Sequence, residues 1–71
     1  MKNRLQKVLP MKWIQHLTKL PETGIGYQLV DIYMNDGSIL SSIEVLNSSI
    51  AKVQEEFDAD KIISIKLVKF N

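Results

Sequence analysis

GYQLVDIYMNDGSILSSIEVL, residues Gly26 to Leu46, is the stretch whose reading decides the fold. Two runs rich in Ile, Val, Tyr and Leu flank Asp36-Gly37, a dipeptide that tolerates the positive φ angles of a tight hairpin turn. With Asp36-Gly37 as a two-residue loop, Met34 faces Ile39, Ile32 faces Ser41, Val30 faces Ile43 and Gln28 faces Val45. That face is mostly apolar. The other carries Tyr33 with Leu40, Asp31 with Ser42, Leu29 with Glu44 and Tyr27 with Leu46. A register slipped by one residue would set Val30 and Ile32 against Ser42, Glu44 and Leu40 and scatter the apolar face, so the two-residue turn is expected.

Working outward toward the N-terminus, Leu20-Pro21-Glu22-Thr23-Gly24 spells the sortase recognition pattern. Sortase substrates carry it near the C-terminus, ahead of a membrane-spanning stretch and a basic tail, and the match is expected to be accidental. Local physics accounts for the same residues. Pro21 stops a helix, Thr23 and Gly24 turn the chain, and Gly26 swings the backbone into the first strand. Gly24-Ile25-Gly26 leads into a strand, whereas phosphate-cradling loops lead from a strand into a helix. Before it, Trp13, Ile14, Leu17 and Leu20 recur at helical spacing behind Pro10, with Lys12, Gln15, His16 and Lys19 on the other side, which predicts a short amphipathic helix. Its stripe is expected to cover the sheet; docking onto a second copy or lying on an anionic membrane are the functional readings. Met1 to Leu9 places Leu5, Val8 and Leu9 at helical spacing and ends at Pro10.

Toward the C-terminus, Asn47-Ser48-Ser49 is turn chemistry. Ile50 to Phe57 fits either a helix capped by a serine or a short third strand, Ile50 to Gln54, with Ala51 and Val53 on one face. Phe57 to Ile62 reads as a buried aromatic followed by one helical turn, with Asp58 accepting from free backbone N–H groups. Ile63, Ile65 and Leu67 then alternate with Ser64 and Lys66. Val68 and Phe70 change parity, which points to a bulge or a strand end covered on both sides.

Gly24-Ile25-Gly26-Tyr27-Gln28, Asp36-Gly37 and Phe57 to Ile65 together resemble small uncharacterised bacterial proteins built as a meander: a Gly-Tyr-Gln entry, an Asp-Gly hairpin, and a phenylalanine with a helical turn before the last strand. The resemblance implies a fold, favours the third strand at Ile50 to Gln54, and brings no activity with it. A second likeness is to Sm-like barrels, which begin with a short helix and place Asp-Gly in their first hairpin. Here Ser42 stands where their strand-bending glycine would be, and no Arg-Gly or Lys-Gly pair lies near Ile62 to Ile65, so RNA binding is not carried over.

The fold expected is mainly β: one domain, an antiparallel meander or open barrel of about four strands closed by an N-terminal amphipathic helix, with an αββαβ arrangement as the α+β alternative. Residues 1–21 form a basic arm and helix with five cations and no acid (+5), and residues 22–71 an acidic body with four lysines against eight acids (−4). The arm's candidate phosphate contacts are Lys2, Arg4, Lys7, Lys12 and Lys19; the plainer expectation is that the arm lies against its own acidic body or is a solvated face. Seventy-one residues without cysteine sit near the lower size limit for an unstapled core and fit a reducing compartment, so the cytoplasm is the expected location.

Neither a catalytic group nor a cofactor or metal site is expected. His16 is a lone imidazole on the polar side of a helix, the serines sit at turn and strand positions, and Asp58-x-Asp60 is too short for a calcium loop. Glu55 and Glu56 on a strand would point to opposite faces. Apolar residues on both faces of the hairpin exceed what so small a chain hides easily. The function expected is therefore a non-catalytic interaction module that self-associates or binds a protein, with Trp13, Leu17, Tyr27, Tyr33 and Leu40 as the candidate partner surface. A nucleic-acid accessory role through the basic arm is the alternative. Tyr27 and Tyr33 could stack bases, but Asp31 and Glu44 on the same face oppose phosphate.

Overall fold

The computed structural model describes residues 5–69. In chain order these form strand β1 (Leu5–Val8), helix α1 (Met11–Thr18), strands β2 (Tyr27–Met34), β3 (Ile39–Leu46) and β4 (Ile50–Val53), a 3-10 turn (Ala59–Lys61) and strand β5 (Ile62–Leu67). The five strands make one antiparallel open sheet in the order β1-β4-β3-β2-β5. The mainly β expectation is met, with one strand more than foreseen. That strand is β1. The helical spacing at Met1 to Leu9 does not produce a helix over Leu5–Val8, because the segment pairs along its whole length with β4 and Leu9 N–H donates to Ser49 O at 2.8 Å. Four residues joined to a sheet satisfy more backbone groups than one frayed helical turn ahead of a proline could.

Period-two patterning holds along β2, where Gln28, Val30, Ile32 and Met34 are buried and the residues between them are half-buried. The base of the hairpin has the expected register, Gln28 facing Val45 and Val30 facing Ile43, but the tip does not. Gly37 N–H donates to Met34 O (3.1 Å) and Met34 N–H to Ser38 O (2.9 Å), so the loop is Asn35-Asp36-Gly37. Gly37, at φ 91°, supplies the left-handed residue that closes a three-residue hairpin. Tyr33 consequently faces Ile39 and Ile32 faces Leu40. A bulge then restores the base register: Ser42 takes φ 55° and its N–H donates to Asp31 Oδ1 at 2.9 Å. The bulge turns Leu40 toward the core and leaves Ile39 on the outer face, opposite to the two-residue reading.

The third strand forms as β4, with Ala51 and Val53 buried. It follows a turn in which Asn47 (φ 52°) and Ser48 (φ 59°) are both left-handed and Ser49 N–H donates to Leu46 O. Phe57 packs against the core, and Asp58 Oδ1 accepts from Asp60 N–H at 3.0 Å, capping the 3-10 turn. In β5 the irregularity comes earlier than the sequence parity indicates. Met34 faces Ile62 while Tyr33 faces Ser64, so Ile63 is bulged out and exposed, and Ile62 and Ile65 point inward.

Helix α1 starts at Pro10, whose carbonyl accepts from Trp13 and Ile14 N–H. It lays Trp13 and Leu17 onto the inner sheet face, where they join Leu9, Val30, Ile32, Met34, Val45, Ala51, Val53, Ile62 and Ile65 in one core. Gln28, the one buried polar side chain among the described residues, ties the layers together. Its amide nitrogen donates to Leu17 O (2.9 Å), Leu20 O (3.2 Å) and Pro21 O (3.3 Å), and its oxygen accepts from the Ser48 hydroxyl at 3.3 Å. Leu17 O also accepts from Leu20 N–H at 3.0 Å, so the Gln28 amide adds a second donor there and fastens the loop after α1, at Leu20 and Pro21, to β2.

Candidate interaction surface

With α1 on the inner face, the outer face of the sheet has no layer over it among the described residues. Strand pairing carries one apolar row across four strands of that face: Val8 opposite Ile50, Ile50 opposite Leu46, and Leu46 opposite Tyr27. Val8 is 68% exposed and the other three are half-buried. At the other end, Tyr33 faces Ile39, with the bulged Ile63 beside it; Ile39 and Ile63 are more than half exposed. A charged band lies between. Glu44 faces Lys52 with 3.9 Å between their charged atoms, Asp31 faces Lys66, and Lys66 Nζ stands 5.5 Å from the centre of the Tyr33 ring.

Tyr27 is positioned by the turn before β2. Tyr27 N–H donates to Gly24 O, Gly26 adopts φ 81°, and a methyl group on Gly24 would overlap the Tyr27 ring, so glycine there makes room for the aromatic. Thr23 belongs to the same construction, its hydroxyl accepting from Leu29 N–H at 2.9 Å. The sortase-like residues Thr23 and Gly24 are thus bonded into the sheet entrance.

Of the candidate partner surface, Tyr27 and Tyr33 lie on the outer face. Trp13 and Leu17 are not on the outer face: they are 8% and 0% exposed, because the helical stripe covers the chain's own sheet, and Trp13 reaches the surface only as part of the wall of the hollow between α1 and β5. Leu40 is likewise turned inward by the Ser42 bulge. A buried Trp13 also leaves the helix without an aromatic anchor for a membrane surface. Val8, Leu46, Ile50, Ile39 and Ile63 complete the outer surface. Alternation signalled Leu46, whereas Val8, Ile39 and Ile63 required knowledge of β1 and the two irregular registers.

Of the candidate phosphate contacts, Lys2 and Arg4 lie outside the described residues. Lys7 forms an ion pair with Glu56 and sits 5.6 Å from the Phe57 ring centre, so this part of the arm does lie against the acidic body. Lys12 stands 4.9 Å from the Trp13 ring centre, and Lys19 is exposed. His16 is more engaged than a free surface imidazole: Nε2–H donates to Ile65 O at 3.0 Å, and its ring meets Trp13 edge-on at 5.8 Å. This contact pins α1 to the edge of β5. Among the described residues, two of the hollows on the surface border candidate residues. One, of about 390 Å³, lies beside the Ser42 bulge, where β4 has ended. The other, of about 550 Å³, runs between α1 and β5 and is lined mainly by apolar atoms.

No protein-family model, no curated protein and no solved structure matches the chain. Among the described residues no group of three or more His, Asp or Glu side chains is placed to hold a metal ion, and no helix is long and apolar enough to cross a membrane.

Proposed function

We propose that the chain is a non-catalytic interaction module that self-associates through the outer face of its sheet. The observation that carries this reading is the unbroken row Val8, Ile50, Leu46 and Tyr27, apolar on four adjacent strands and lacking a cover among the described residues. Five strands spaced about 4.8 Å apart, and up to about 25 Å long, give a face comparable in size with one side of a small specific interface. The central band carries both signs of charge, so a second copy can meet it without placing like charges in contact.

Self-association is preferred to phosphate contact through the basic arm because Lys7 is already paired with Glu56, and because Asp31 and Glu44 stand among the outer aromatics. The test is a dilution series followed by NMR. Tyr27 and Tyr33 ring signals and Leu46 and Ile50 methyl signals should move between about 10 μM and 1 mM, a range that brackets interfaces of this size, while the inner Val30 and Ile32 methyls stay in place. Outer-face signals that do not change with concentration would count against the homotypic reading.

A further inference from the structure

β5 ends the sheet, and its outer edge faces the hollow bounded by Trp13, His16 and Leu20 of the helical layer. Val68 N–H donates to Leu29 O, so Val68 turns its backbone groups toward β2; by the two-residue alternation of an antiparallel ladder, Ile65 and Leu67 turn theirs away from the sheet. The His16 contact to Ile65 O agrees with this, since that carbonyl reaches the helix side. The edge therefore offers Leu67 N–H and C=O, with Ile65 O already accepting one side-chain hydrogen bond. A carbonyl has two lone pairs and can accept a second. The charges along the hollow are of one sign: Lys66 and Lys69 line it, and no Asp or Glu does.

We propose that this groove receives an extended segment of a partner protein, alternating apolar and acidic residues, as a sixth strand on β5. Main-chain bonds to Leu67 and Ile65 hold it, its apolar side chains enter the hollow against Trp13 and Leu20, and its carboxylates meet Lys66 and Lys69. Charge complementarity selects the acidic segment, and the alternation follows from a strand that lies on an apolar floor with its other face in water. The groove meets the outer sheet face at Ile63 and Lys66, but its floor of Trp13, Leu20 and Ile65 lies on the helix side, so a strictly monomeric chain would leave this proposal standing.

The experiment titrates the full chain with the peptide acetyl-Val-Glu-Val-Glu-Val-Glu-Val-amide, reading Trp13 emission and backbone amide shifts; Trp13 is the only tryptophan. Saturable binding is expected, with the Ile65 and Leu67 amides shifting most. Affinity should fall about ten-fold or more for the Lys66→Glu/Lys69→Glu double variant or when lysine replaces glutamate in the peptide. The peptide control needs no change in the protein, so a misfolded variant does not confuse the result. No response up to about 2 mM, equal binding of the lysine peptide, or shifts centred on the outer sheet face would overturn the proposal.

Discussion

Gln28 shows how one side chain can hold this small molecule together. It lies in an apolar row of β2, yet it serves three carbonyls at the end of α1 and a hydroxyl of the β3–β4 turn. Replacing it with leucine keeps the volume but removes the buried donor that ties Leu17 O, Leu20 O and Pro21 O to β2. Gln28→Leu should therefore cost about 1–3 kcal/mol, read as a lower urea midpoint with an unchanged slope; a neutral result would mean that water or neighbouring groups serve the same carbonyls. Asp36 acts at the hairpin tip. Its carboxyl is held below the ordinary value of 3.8, first by the Ser38 hydroxyl and then by the Ser38 backbone N–H, which both donate to it. A lowered folded pKa stabilises the fold above the unfolded value, and that contribution is lost as pH falls through the folded one. The difference in Tm between the wild type and Asp36→Ala should thus be constant from neutral pH to about pH 4 and shrink in more acid solution.

At the scale of elements, two local irregularities decide which apolar residues face out. The Ser42 bulge is held by the Asp31 carboxylate, so Asp31→Ala should destabilise the hairpin by about 1 kcal/mol. Hydrogen exchange should quicken in β3 more than in β4, and uniform exchange would show that the bulge stands without Asp31. The alternation of β2 and the Asp58-capped turn were legible in the sequence, since each depends on neighbouring residues alone, whereas Ile50 to Gln54 fitted helix and strand equally and only the resemblance to meander proteins favoured the strand. Three features were not legible. β1 exists because β4, more than forty residues later, offers it an edge. The Ser42 bulge uses a serine where glycine would have advertised positive φ. The Ile63 bulge lies inside a run that reads as regular alternation. For the candidate surface, alternation placed Tyr27 and Tyr33 on the outer face. It could not say whether the Trp13–Leu17 stripe covers the chain's own sheet or a partner's, and the bulge reversed Leu40. The groove beside β5 depends on knowing which strand ends the sheet, which no local pattern encodes.

At the scale of the whole molecule, the described part of the basic arm shares its core with the acidic body. Leu9, Trp13 and Leu17 supply part of the core and Lys7 pairs with Glu56, so removing residues 1–21 would open the inner face as well as delete charge. Assembly is better tested by exposed substitutions on the outer face. Val8 and Ile39 stand at opposite ends of it and are more than half exposed, so a lysine at either should leave the fold intact. The most direct measurement is molar mass by light scattering on a sizing column, loaded at about 500 μM and run at low and at high salt, within the range where interfaces of this size assemble. Self-association through the outer face requires at least twice the single-chain 8.1 kDa at both salts for the wild type, and a return to 8.1 kDa for Val8→Lys/Ile39→Lys. A wild-type mass of 8.1 kDa at every salt, or an assembly indifferent to both lysines, would contradict it.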